Sequence, residues 1–135
     1  MKRRDAREAL FVLLYEMSYN MPEELEETIL KAKENREIDD AYIMQSIHGI
    51  YDHLDEIDQQ IAAHARGWSL ERLSRTTRAI MRISVYEMAY AEIPYTISIN
   101  EAVELAKKYD HDQAPTFING ILNSVAITLG LKNKA

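Results

Sequence analysis

Apolar residues recur along this chain at helical spacing almost from its start. Between residues 5 and 19, Ala6, Leu10, Leu13, Leu14 and Met17 fall on one face, which Phe11 and Tyr15 broaden. That is the repeat of an amphipathic helix laid on a core. Tyr19-Asn20-Met21-Pro22 interrupts it. Pro22 suits the first turn of a second helix over about 23–34, where Glu23 and Glu24 favour the positive end of the helix dipole and Leu25, Ile29 and Ala32 point inward. Asp39 or Asp40 is placed to cap a long third helix. In it Ile43, Ile47, Ile50, Leu54, Ile57 and Ile61 recur every three or four residues beneath an acidic and amide outer face.

Gly67-Trp68-Ser69 breaks the pattern and divides a single domain, 1–135, into an N-terminal half of about 1–66 and a C-terminal half of about 69–135. Ser69 or Ser74 can cap the next helix, about 75–91. Ile80, Met81, Ile83, Val85, Tyr86 and Met88 make it apolar nearly all round, which predicts the central, most buried helix. After Ile93-Pro94-Tyr95, Ser98 and Glu101 have the Ser-x-x-Glu spacing of a capping box, predicting a helix from there through Val103 and Ala106 to about Tyr109. Asp112 is the expected cap of the last helix, with its stripe of Ile118, Ile121, Leu122, Val125 and Leu129, and Gly130 is its stop. No stretch alternates as a strand would. The fold class expected is all-α, with six or seven helices in two packed groups.

Composition narrows the chemistry. A chain of 135 residues, 47% of them hydrophobic, fits one domain with a real core. The absence of cysteine removes disulfides, thiolate metal sites and cysteine nucleophiles, and suits a reducing cytoplasm. The charged opening Met-Lys-Arg-Arg-Asp leads into an amphipathic segment rather than an apolar run, so neither a signal peptide nor a membrane span is expected and the localisation expected is cytoplasmic. The net charge of −6 argues against nucleic acid until its distribution is read. Residues 2–7 hold Lys2, Arg3, Arg4 and Arg7 against Asp5 alone. Residues 66–82 hold arginines at 66, 72, 75, 78 and 82 against Glu71, whereas residues 16–58 carry 13 acids and 3 bases. A basic footprint is available on an acidic protein.

No constellation points to catalysis. His48, His53, His64 and His111 form no His pair one helical turn apart, so they read as structural or surface residues; neither a metal nor a cofactor is expected. There is no phosphate-binding glycine loop, nucleophile elbow or dinucleotide fingerprint, and the protein is not expected to be an enzyme. Arg75, Arg78 and Arg82 make a stripe on the central helix that reads first as a solvated face paired to the acidic helices. Arg3, Arg4 and Arg7 enter the first helix at i, i+1 and i+4, where guanidinium forks can hold phosphates or stack on unpaired bases. Glu87 is a lone carboxylate on an apolar face, following Ile83 by four and Ile80 by seven. Such a group needs a partner, either a cation of its own chain or a donor from another protein.

These residues resemble the NusB family of transcription antitermination factors. The resemblance runs from Arg3-Arg4-Asp5-Ala6-Arg7-Glu8 and Leu14-Tyr15, through Ile80-Met81-Arg82-Ile83-Ser84-Val85-Tyr86-Glu87-Met88 and Ile93-Pro94-Tyr95, to Ile99-Asn100-Glu101-Ala102-Val103-Glu104-Leu105-Ala106-Lys107 and Phe117-Ile118-Asn119-Gly120-Ile121-Leu122. Residues 20–65 match in pattern only. It implies two three-helix bundles, pairing with NusE (a ribosomal protein of the small subunit), and binding of the boxA element of nascent RNA. It further implies assembly with RNA polymerase, NusA and NusG, chiefly on rRNA operons. On its terms Arg3, Arg4, Arg7, Asn119 and Asn123 are the RNA-binding candidates, and Tyr15, Arg82 and Glu87 the NusE-contact candidates. Asp5 stands where many relatives keep a base, and Asn123 where an acid is common. With about three phosphate contacts, affinity should fall with salt at a logarithmic slope near −2. The alternatives are a helical homodimeric interaction protein, or a free-standing relative of the RNA-binding module that precedes some rRNA methyltransferases.

Overall fold

The structure is a computed structural model describing residues 2–18, 25–34 and 40–133, with the side chains at 25, 32 and 33 outside the description. Within those residues the chain forms seven α-helices: α1 (Arg3–Met17), α2 (Leu25–Glu34), α3 (Ala41–Asp52), α4 (Leu54–His64), α5 (Arg75–Tyr90), α6 (Tyr95–Tyr109) and α7 (Ala114–Thr128). A short 3-10 turn, Leu70–Arg72, precedes α5, and no strand occurs among the described residues. None of these helices is long and apolar enough to cross a membrane.

The central position of α5 follows from its sequence. It packs against α1, α3, α4, α6 and α7, and buries Thr77, Ser84 and Glu87 along with its apolar residues. Leu10, Ile47, Ile57, Met81 and Ile118 are among the side chains sealed from solvent, each contributing roughly 1.5–3 kcal/mol by burial. Gly49 of α3 lies flat against α5: a Cβ there would overlap the Tyr86 ring, so glycine sets how closely the two helices approach.

Caps were legible in part. Asp40 caps α3, accepting from the Tyr42 and Ile43 amides at 2.8 and 3.4 Å, and Ser74 caps α5 through the Thr77 amide at 3.1 Å. Ser69 begins the 3-10 turn without capping it. Gly130 closes α7 at φ +76, with the Gly130 and Leu131 amides returning to Ile127 and Ala126, a Schellman ending. The inward placement of Ile29 holds. Pro22, Glu23, Glu24 and Asp39, and the side chains of Leu25 and Ala32, lie outside the described residues.

Three expectations are corrected. The long third helix is two helices, because His53 leaves helical geometry (φ −120, ψ 23) and serves as C-cap of α3 and N-cap of α4. Its ring stacks on Tyr90 at 3.8 Å between centroids, so contact with α5 replaces helix continuity. Helix α6 starts at Tyr95 with Pro94 as N-cap, which puts Ser98 inside the helix, where it caps nothing. The last helix has Gln113 rather than Asp112 at its N-cap, with a proline in its first turn.

Candidate functional site

Helix α1 carries its basic residues across the boundary between solvent and core. Arg7 shares the inward face of Leu10 and Leu14, three and seven residues on, and is buried with them, whereas Arg3 and Arg4 in the first turn are exposed. The Arg7 guanidinium donates through Nε to Glu87 Oε2 at 2.8 Å, with 5% and 1% of the two side chains exposed. Glu87 also accepts from Tyr42 Oη at 2.6 Å and, on Oε1, from Ser98 Oγ at 2.8 Å. With the Ser98 hydrogen so directed, the 2.9 Å contact between the Ser84 and Ser98 hydroxyls has Ser84 as donor. One buried carboxylate therefore joins α1, α3, α5 and α6. Of the two readings of Glu87, the structure has the cation of its own chain.

A second layer lies outside this one. Glu101, 14% exposed, receives Arg4 Nε at 3.2 Å on each carboxylate oxygen and Nη2 at 3.1 Å, and sits 3.7 Å from Arg7 Nη1. Arg4 remains 66% exposed, and its pKa is raised by the Glu101 hydrogen bond and charge. The Arg3 guanidinium lies over the Tyr42 ring at 4.3 Å, a cation–π contact that leaves its charge uncompensated. No carboxylate among the described residues is within ion-pair distance of it. A cleft of about 320 Å³ opens between α1 and α6, lined in part by Arg4, Arg7, Glu101 and Lys107.

The remaining candidates lie elsewhere. On α7, Asn123 Nδ2 donates to the Asn119 carbonyl at 2.8 Å, and its Oδ1 accepts from Lys132 Nζ; Lys132 also lies 6.0 Å from the Tyr95 ring centroid. Tyr15, half-buried, is two turns along α1 from Arg7 and packs beside Phe11 with 6.4 Å between ring centroids. Arg82 makes a bidentate pair with Asp58 of α4 at 2.8 and 2.9 Å, in keeping with the stripe paired to an acidic helix. Its neighbour Arg78 has a buried Nε without a hydrogen-bond partner, and burial together with the charges of Arg82 and Arg75 lowers its pKa.

Sequence reasoning missed Tyr42, Ser84, Ser98, Glu101 and Asp58 as members of these networks. Ser98 and Glu101 did stand out, but as cap residues: their three-residue spacing arises because one faces inward to Glu87 and the other outward to Arg4. Two of the histidines are held by hydrogen bonds through both ring nitrogens. His48 meets the Met44 carbonyl and Glu26, each at 2.9 Å, and His64 meets the Gln60 carbonyl and Thr128, each at 2.8 Å. No cluster of metal-ligating side chains occurs among the described residues.

Comparison with known proteins places this arrangement in a family. The model of the NusB family matches residues 4–127. The transcription antitermination protein NusB of Bacillus subtilis is 39% identical over 129 residues, covering 93% of this chain and 95% of that protein. T. maritima NusB, a solved structure, is 33% identical, with a TM-score of 0.77 over 94% of this chain and 92% of that one. A chain from a crystal structure of the antitermination factors NusB and NusE in complex with dsRNA is 26% identical, with a TM-score of 0.79 over 93% of this chain and 96% of that one.

Proposed function

This chain belongs to the NusB family, and on that premise we propose that it is a non-catalytic, cytoplasmic transcription antitermination factor that binds boxA RNA together with NusE. In this role it joins RNA polymerase, NusA and NusG and promotes processive transcription, chiefly of rRNA operons. The observation that carries the RNA-binding part is the exposed pair Arg3 and Arg4, held on an ordered helix start by the buried Arg7–Glu87 bond and by Glu101. Ordering the base of these side chains before RNA arrives lowers the entropy cost of gripping phosphates. Asn119 and Asn123 border the RNA, with Lys132 adding a cation beside them.

In this account Arg7 supports the RNA contact from beneath, because its guanidinium is engaged within the fold. Tyr15 and Arg82 face NusE, and Glu87 shapes that surface through the helices it joins. Support for a NusE partnership comes from the fold shared with the NusB–NusE–dsRNA structure. Transcription by RNA polymerase through a terminator, on templates with and without boxA, tests the proposal. Read-through that requires boxA, NusE and this protein is expected; read-through that is the same without boxA would overturn it.

A further inference from the structure

Beyond Arg82 the outer face of α5 turns from basic to aromatic, with Tyr86 and Tyr90 following it by one and two helical turns. Tyr90 is 41% exposed, although His53 stacks on its ring at 3.8 Å with 8° between the planes. The Tyr86 ring lies 6.3 Å from that of Tyr90. It is fixed from behind: Gly49 of α3 packs against it, and its hydroxyl donates to the Gln45 carbonyl at 3.4 Å. These rings form a preset row where the α3–α4 junction meets the end of α5, and Tyr90 leaves part of that row open to solvent.

The segments that build this row are acidic. Residues 40–65 and 83–106 contain no lysine or arginine, and Arg82, one turn before Tyr86, is neutralised by Asp58. Asp55 and Glu56 stand in the first turn of α4, directly after His53, and Glu92 follows Tyr90 by two residues; all three are exposed. Glu8, Asp58 and Glu101 each have a cation of this chain, whereas among the described residues Asp55, Glu56 and Glu92 have none. Glu92 holds its carboxylate there despite φ +55, a conformation that glycine adopts freely. Strain of this kind gathers at functional positions.

An arginine is the side chain that such a surface fits. Its planar guanidinium stacks on an aromatic ring while its N–H groups stay free for carboxylates, a combination the lysine ammonium does not match. The same acids repel the phosphates of nucleic acid. We propose that the His53–Tyr90–Tyr86 row is a docking surface for an arginine-bearing segment of a protein partner, whose guanidinium stacks on Tyr90 with its charge facing Asp55, Glu56 and Glu92. The surface goes beyond the RNA-binding reading and lies apart from it. Tyr42, the ring beneath Arg3, is near the start of α3, and His53 is at its end; at 1.5 Å per residue they are about 16 Å apart along the helix. A partner can therefore be held here while Arg3 and Arg4 engage RNA.

The probe is a short peptide of alternating glycine and arginine. Versions with lysine or glutamate in place of arginine, and an unrelated single-stranded RNA, serve as controls. Amide shifts of the isotope-labelled full-length protein are followed by NMR. The arginine peptide is expected to shift residues 52–56 and 86–92 and to bind several-fold tighter than its lysine version. Asp55→Asn combined with Glu92→Gln should weaken it about fivefold and leave the affinity for boxA RNA unchanged. Tyr90→Ala should also cost about fivefold, whereas Tyr90→Phe, which keeps the ring, should not. Equal affinity for the lysine version would overturn the surface, as would the absence of shifts or shifts gathered at the groove of Asp5, Glu8 and Glu16. The same residues answering to the RNA would make this a nucleic-acid site, and shifts driven by protein concentration alone would make it a contact between two copies; either result overturns it too. The boxA reading stands or falls separately, in the read-through assay.

Discussion

Arg7 Nε donates to Glu87 Oε2 at 2.8 Å, joining residues 80 positions apart inside the core. Neither charge reaches solvent to a useful degree, so each depends on the other. Removing one partner of a buried pair costs roughly 3–5 kcal/mol, because the survivor is stranded, whereas replacing both by apolar residues is far milder. Arg7→Ala should therefore lower the urea-unfolding free energy by about that amount, and Arg7→Met combined with Glu87→Leu by clearly less. Arg4→Ala, at a side chain 66% exposed that lies outside this pair, should cost far less than Arg7→Ala. Equal midpoints for Arg7→Ala and the wild type would mean that the pair does not form.

Tyr42 gives the same network a pH dependence. Burial first, then the charge and the hydrogen bond of Glu87, push its phenol well above the ordinary tyrosine value of 10.0. A group whose pKa is raised by folding contributes stability that is complete below its unfolded value and is lost as pH climbs toward its folded one. Alkaline destabilisation should begin above pH of about 10 and be steeper in the wild type than in Tyr42→Phe. Near neutral pH, Tyr42→Phe should cost roughly 1.5–3 kcal/mol, the contribution of a hydrogen bond to a charged acceptor. Denaturant titrations of both proteins across the alkaline range check both signs.

At the end of α5, Glu92 adopts φ +55, the sole non-glycine residue with positive φ among the described residues. The Ile93 amide closes the turn onto the Glu87 carbonyl at 3.1 Å. A side chain in that conformation costs on the order of 1 kcal/mol, and glycine avoids the penalty. Glu92→Gly should raise stability by about that amount and Tm by a few degrees in calorimetry; a lower Tm would mean that the Glu92 side chain makes a stabilising contact.

These particulars show what was legible in the chain and why. The central position of α5 could be read directly, since Ile80, Met81, Ile83, Val85 and Met88 leave little polar surface for solvent. The break at His53 could not: α3 and α4 turn the same isoleucine stripe to the core, so the period runs on in phase across a bend created by contact with Tyr90. The arginines were found as a group, yet one helical turn separates exposed Arg3 and Arg4 from buried Arg7. Both halves of the buried pair carried a local signal, Arg7 by its register with Leu10 and Leu14, and Glu87 by its apolar face. Only the packing of α1 on α5 joins them, and that is a long-range fact.

The salt dependence of RNA binding carries the central claim. With Arg7 inside the fold, two exposed arginines remain at the start of α1, so this segment should contribute about −1.4 to the logarithmic slope for single-stranded RNA rather than about −2. The decisive measurement is titration of labelled boxA RNA at two salt concentrations, with and without NusE, comparing the wild type with Arg3→Ala plus Arg4→Ala. Selective binding that tightens with NusE is expected, with the double variant losing the share of salt sensitivity that Arg3 and Arg4 supply. Binding indifferent to NusE, to RNA sequence and to both arginines would contradict it.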